Sequence, residues 1–214
     1  MTEVINAAGK LTALGGTAQS AAVAAAQQVA ARKHVDLAEC RQEVGRQVAA
    51  LCGAEAGCIT SGAAAGICIA IAGLVTAGNV DASARLPATD REYPVLLQAG
   101  HNINFGAPVE QMIRLGGGTP RLVGHTNLVT TRMLADTLAH VAPVALLYVQ
   151  SHHCVQTNQV SLADCVRMCR DSGVPVVVDA AAEADLREYV ACGADLVIYS
   201  GGKAYGGPTS GFVV

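Results

Sequence analysis

Short apolar runs alternate with longer helical stretches along almost all of the 214 residues, and this spacing most constrains the fold. The runs Gly57–Thr60, Val95–Gln98, Arg121–Val123, Val144–Val149, Val174–Val178 and Leu196–Tyr199 have strand length and strand composition. Between and before them, helical periodicity fits Ala18–Ala31, Leu37–Leu51, Ala63–Val75, Val109–Leu115, Thr130–His140, Leu162–Asp171 and Glu183–Ala191. Alternation on this scale predicts an α/β fold, a three-layer αβα arrangement around a mostly parallel sheet. The chain has no tryptophan and few aromatics, so the core must be aliphatic, which suits a sheet covered on both faces. Right-handed crossovers bring the carboxyl ends of the strands to one edge, where such folds bind ligands.

The rest of the composition excludes several function classes. A formal charge of −3 without any Lys/Arg cluster argues against nucleic acid as the main partner. Eight cysteines lie scattered, several within apolar runs, and read as reduced core residues of a cytoplasmic protein, not as a disulfide framework or zinc site. The opening MTEVINAAGK carries acid early and has no basic segment before an apolar one, unlike a signal peptide. Gly57–Gly78 has the length of a membrane span, yet Thr60-Ser61-Gly62 interrupts it and it divides into a short strand and a buried helix. The closing GFVV reads as a strand that either completes the sheet or begins a longer remainder.

Four strand ends carry chemically useful residues. After the first strand, TSGAAAG places Ser61, Gly62, Ala63 and Ala64 at a helix start, where free N–H groups and the positive helix end cradle an anion; small residues also begin many ordinary helices. After Val95–Gln98, His101 sits where an imidazole can stack on a planar ligand, titrate near neutrality or simply be solvated. Asp179 ends a buried valine strand and needs a cationic or hydrogen-bonding partner, or caps the segment that follows. The last is SGGKAYGGP. The chain has three lysines, Lys10, Lys33 and Lys203, and this one sits in a glycine-rich turn three residues beyond a strand end. Glycines 201, 202, 206 and 207 permit unusual dihedrals and close approach, so Lys203 suits either a Schiff base or a point charge on a phosphate.

Together, and in this chain order, the anion cradle, stacking residue, aspartate and Ser-x-x-Lys match the needs of pyridoxal 5′-phosphate. That cofactor requires a phosphate cup, a plane to stack on, a carboxylate for its ring nitrogen and an amine for its aldehyde. There is no G-x-x-x-x-G-K-[ST] phosphate loop.

GADLVIYSGGKAYGGPTSG resembles the lysine segment of fold-type I pyridoxal-phosphate enzymes of the selenocysteine synthase-like group, most of all its D-glucosaminate-6-phosphate ammonia-lyase branch. VINAAGKLTALGG, TSGAAAGICIAIA, GHNINFGAPVEQMIRLGG and VVVDAAAE add to the resemblance, which covers essentially the whole chain. It implies that Lys203 holds the cofactor and removes the α-proton, that Asp179 pairs with the ring nitrogen, and that Ala181 and His101 cover the two ring faces. It implies further that Ser61, Gly62, Ala63 and Ser200 bind the phosphate, that Ser151 and His152 approach the ring oxygen, and that the loop Asn6–Gly16 reaches the substrate pocket. The implied reaction is loss of water and ammonia from an amino-acid-like small molecule such as D-glucosaminate 6-phosphate, giving a 2-keto-3-deoxy acid. A selenium transferase or a non-catalytic module of the same fold is the alternative. The implied organisation is an N-terminal arm with helices over 1–50 and a cofactor-binding large domain over 51–214. A small C-terminal domain would lie beyond it, and a homodimer or higher homo-oligomer is expected. The tandem His152-His153 before Cys154 is not expected to bind metal, because adjacent extended residues face opposite ways.

Overall fold

The structure, a computed structural model, describes residues 4–155 and 157–214; Glu3, the acid that argues against a leader, lies outside them. Seven strands form one sheet in the order β1-β7-β6-β5-β4-β2-β3. They are β1 (Cys58–Thr60), β2 (Pro94–Gln98), β3 (Thr119–Val123), β4 (Ala145–Val149), β5 (Val176–Asp179), β6 (Leu196–Ser200) and β7 (Gly211–Val213). All neighbouring pairs are parallel except the two that β7 makes with β1 and β6. The closing GFVV therefore lies inside the sheet, between the strand of the anion cradle and the strand of the lysine.

Helices α1 (Ala21–Ala30) and α2 (Leu37–Cys52) precede the first strand, and α3 (Ala63–Thr76), α4 (Val80–Arg85), α5 (Val109–Leu115), α6 (Thr131–Val141), α7 (Leu162–Asp171) and α8 (Glu188–Cys192) connect the strands. Several start as their sequences dictate: Asp36, Asn79, Thr130 and Ser161 each accept a hydrogen bond from a first-turn N–H. Successive strand residues turn to opposite faces and build two cores. On one face Val95, Leu97, Leu147, Val177 and Ile198 pack with Ile67 and Ile71 of α3 and Ile113 of α5. On the other, Leu96, Leu146, Val176, Val178 and Val197 pack with Leu134 of α6 and Cys165 and Cys169 of α7. This is the three-layer αβα arrangement expected from the alternation.

Two differences from the expected elements bear on the site. The helix expected over Glu183–Ala191 shortens to α8, because Asp185 Oδ1 accepts from the N–H groups of Arg187 and Glu188 and starts the helix late. The freed segment 180–184 instead runs along the carboxyl edge of the sheet. The helix over residues 80–85 was not expected; Asn79 caps it. The apolar stretch Gly57–Gly78 divides into β1 and α3, and among the described residues no helix is long and apolar enough to cross a membrane.

Candidate active site

The ends of six strands, β1 to β6, and the start of β7 lie at the carboxyl edge of the sheet. Asp179, the last residue of β5, is 4% exposed, and its Oδ1 accepts from the Ala181 N–H at 3.2 Å. Burial pushes its carboxyl up to about 6, against the pull of the Lys203 ammonium and the Ala181 hydrogen bond. Lys203 stands in a loop closed by its own backbone: the Gly201 N–H donates to Ser210 O at 2.8 Å and the Gly207 N–H to Gly201 O at 2.7 Å. Beneath it three of the chain's seven Phe and Tyr residues cluster, Tyr199 stacking on Phe212 at 5.0 Å with Tyr205 packed edgewise. A lysine on so supported a turn is held over the site and kept off the surface.

The anion cradle is open. In α3 the first intrahelical bond runs from the Gly66 N–H to Gly62 O, which leaves the N–H groups of Ala63, Ala64 and Ala65 at the helix end with no side-chain cap from Gly62. A cavity of about 260 Å³ lies against them and against Ser200, Lys203 and Ala181. Thr209 and Ser210 add two hydroxyls to its wall, and Thr12 and Gly16 reach it from the N-terminal segment. That segment is docked on the lysine loop: the Thr17 N–H donates to Gly202 O at 2.9 Å, and Lys10 Nζ donates to Ala182 O at 2.6 Å. At Gly16, φ is +83° and a Cβ would stand 2.3 Å from Gly202 O, so only glycine allows this approach. A small adjoining cavity of about 20 Å³ opens among Asp179, Lys203, Phe105, Ser151 and His153.

The structure thus brings Gly62, Ala63, Ser200, Lys203, Asp179, Ala181 and Ser151 to two connected cavities. Ser61 and His152 are exposed and line neither. His101 is 3% exposed, in a one-turn 3-10 helix below the edge, and also lines neither. Its Nδ1 accepts from the Val149 N–H at 3.2 Å, its ring meets Tyr148 edge-on at 4.6 Å, and burial drives its pKa down to about 4. The imidazole expected to face a ligand instead satisfies a strand-end donor. The aromatic at the site is Phe105, half-buried, its ring centroid 5.8 Å from Lys203 Nζ and, like Ala181, lining both cavities. A phenylalanine set in the glycine- and asparagine-bearing loop 102–106, in a chain with two phenylalanines, was the available signal. Among the described residues no group of three or more His, Cys, Asp or Glu could hold a metal. A cavity of about 390 Å³ opens between α3, the start of β6 and the end of β7, away from Lys203, and no charged side chain lines it.

The donor set fits a planar, phosphorylated, aldehyde-bearing cation on three observations. The buried Asp179 carboxylate lacks a full counter-charge, the α3 N–H groups and Ser200 offer donors on one side, and Phe105 and Ala181 line both cavities with apolar surface.

No family model matches the chain. It is 44% identical over 214 residues to the D-glucosaminate-6-phosphate ammonia lyase of Salmonella typhimurium (strain 14028s / SGSC 2262), covering 100% of this chain and 58% of the relative. It is also 44% identical over 213 residues to the 5'-C-glycyluridine monooxygenase-decarboxylase of Streptomyces sp, 98% of this chain and 53% of that one. An L-seryl-tRNA(Sec) selenium transferase of Geobacter sulfurreducens (strain ATCC 51573 / DSM 12127 / PCA) is 26% identical over 181 residues, 77% of this chain and 36% of the relative. The solved structure of D-glucosaminate-6-phosphate ammonia-lyase superposes at a TM-score of 0.90 with 42% identity, covering 100% of this chain and 58% of that chain. The chain spans little over half the length of these first two curated relatives. Over its whole length, this chain is similar to D-glucosaminate-6-phosphate ammonia lyase and has the mostly parallel three-layer fold of the fold-type I group.

Proposed function

We propose that the chain binds pyridoxal 5′-phosphate through Lys203 and acts as a lyase that removes water and ammonia from an amino sugar acid phosphate such as D-glucosaminate 6-phosphate. The observation that carries this reading is Lys203 standing between two cavities, a small one it shares with the buried Asp179 carboxylate and a larger one that ends on the open start of α3. When bound, the cofactor supplies an electron sink for the pair left at the substrate Cα. Lys203 offers the amine that holds the cofactor aldehyde and, once displaced by the substrate amine, takes the proton from Cα. Asp179 keeps a proton on the ring nitrogen, since a carboxylate this buried gains most from a cationic partner. Ala63 and Ala64 N–H groups with the Ser200 hydroxyl hold the phosphate. Phe105 and Ala181 exclude water from the two ring faces, with Phe105 in the role expected of His101.

The equal identity to a monooxygenase-decarboxylase supports a second reading, an oxygen-consuming decarboxylation of an amino-acid substrate on the same site. Low basic charge counts against a tRNA substrate. A homo-oligomer in a reducing, cytoplasmic setting completes the proposal. It is supported by the exposed apolar side chains Val29 (55%) and Leu37 (71%) on α1 and α2, and by eight free cysteines.

The test is the purified chain supplied with pyridoxal 5′-phosphate. It is expected to absorb at roughly 410–430 nm, to lose that band with borohydride, and to lack it in Lys203→Ala. Given D-glucosaminate 6-phosphate it is expected to release ammonia and a 2-keto acid with no oxygen uptake. A colourless protein refutes the cofactor assignment; oxygen uptake with carbon dioxide release selects the second reading.

A further inference from the structure

We propose that His153 is the general acid that protonates the leaving hydroxyl of the substrate. This rests on the lyase reading above. The two connected cavities have three titratable side chains in their walls: Lys203, Asp179 and His153. Lys203 is committed to the α-proton and Asp179 is shut in, 4% exposed. His153 alone combines contact with the small cavity and an exposed position from which it can be reprotonated by solvent. The turn after β4 sets it there. The His153 N–H donates to Ser151 Oγ at 3.2 Å, and the Cys154 N–H donates to Ser151 O at 3.1 Å. The loop's far end is anchored too, because Gln98 at the end of β2 exchanges two hydrogen bonds with the backbone of Val160, at 2.8 and 3.0 Å.

The elimination balances with these two side chains. The Lys203 amine takes the Cα proton, and the electron pair left at Cα becomes the Cα–Cβ double bond. The Cβ–O pair departs on oxygen, which takes the imidazolium proton from His153 and leaves as water. Lys203 ends with one proton more and His153 with one fewer, and a single transfer between them through solvent resets the site. Electrostatics assist this sequence. Burial, then His152, then Lys203 hold the His153 imidazolium below its ordinary pKa. Charge appears on Lys203 as it takes the α-proton, so His153 becomes more acidic when its proton is needed. The charged groups facing it are Lys203, Asp179 and the neighbouring His152 ring, 4.0 Å away.

The experiment has two arms. In the cofactor-free chain, the imidazole resonance of His153, assigned by its loss in His153→Gln, is titrated by NMR. Its midpoint is expected to move up in Lys203→Ala; an unmoved midpoint overturns the inference without reference to activity. In the loaded chain, His153→Gln is expected to keep the cofactor band and to lower kcat for D-glucosaminate 6-phosphate by about 10²–10⁴-fold. The same variant is expected to stay near the unsubstituted chain with the 3-chloro-3-deoxy analogue, whose chloride leaves unprotonated. Equal losses on both substrates, or no loss on the hydroxyl substrate, overturn the assignment. If the unsubstituted chain turns over neither substrate, the lyase reading fails and the inference falls with it, while a moved midpoint still separates the two failures.

Discussion

Replacing Asp179 with asparagine is expected to stabilise the cofactor-free chain, by an amount that depends on pH in a defined way. The carboxyl is buried and its pKa is raised from 3.8 to about 6, so the folded state binds its proton more tightly than the unfolded state does. A group with that sign costs nothing well below its unfolded pKa of 3.8, progressively more between that value and about 6, and a constant amount above. At roughly 1.4 kcal/mol per unit, the rise amounts to about 3 kcal/mol above pH 7, falling to about 0.5 kcal/mol near pH 4. Asparagine carries no charge to desolvate and retains an amide oxygen for the Ala181 N–H. Urea unfolding of both proteins, without cofactor, at pH 4.0 and pH 8.0 (two settings bracketing the window, roughly) reads the difference directly. The gap should be near zero at the lower pH and several kcal/mol at the higher, or roughly 6–12 °C in Tm. A gap that does not change with pH, or an asparagine variant less stable at the higher pH, refutes the claim that Asp179 is held against its charge. Saturating cofactor should reverse the order, since its cation compensates the carboxylate and not the amide.

His101 should give the opposite pH signature. Its pKa is driven down to about 4 from 6.5, so the folded state resists protonation and stability falls as pH drops from about 6.5 toward 4. His101→Gln, which keeps an acceptor for the Val149 N–H, is expected to flatten that limb in thermal melts below pH 6.5, without removing the cofactor band. Gly16→Ala is expected to destabilise the chain by about 1–3 kcal/mol and to expose residues near Lys10 to limited proteolysis, because its Cβ would collide with Gly202 O where φ is +83°. Unchanged urea midpoints and cleavage patterns would show that the N-terminal segment is not docked on the lysine loop.

Residues that end regular elements were the ones legible in the sequence. Asp179 and Lys203 follow valine- and isoleucine-rich runs whose period is plain, and the sheet carries both to one edge. Ala63 was legible because a helix must begin after a strand and its first N–H groups lack partners. His101 shows the limit: its position past β2 was foreseen, yet its partner is a backbone donor 48 residues away on β4. Phe105 and His153 belong to irregular loops whose course is fixed by contacts distant in sequence, such as the Gln98–Val160 pair, and periodicity does not encode those. Thr209 and Ser210 reach the site because β7 runs antiparallel in an otherwise parallel sheet, and a three-residue strand gives no sign of its direction.

That reversed strand also governs when the site can exist. β1 and β6 are not neighbours; Thr60 and Ser200 each align with Gly211, on opposite sides of β7. As the chain leaves the ribosome, β2 to β6 can pair as soon as each emerges, but β1 and the open start of α3 stay unattached to the lysine strand until Gly211–Val213 slides between them. Closure spans about 150 residues of chain, a slow, late step compared with local helix formation. Cofactor that bridges the start of α3 and the lysine loop would therefore act as a clasp on the sheet, and mutations in β7, which pairs late, should destabilise the folded chain mainly by speeding its unfolding.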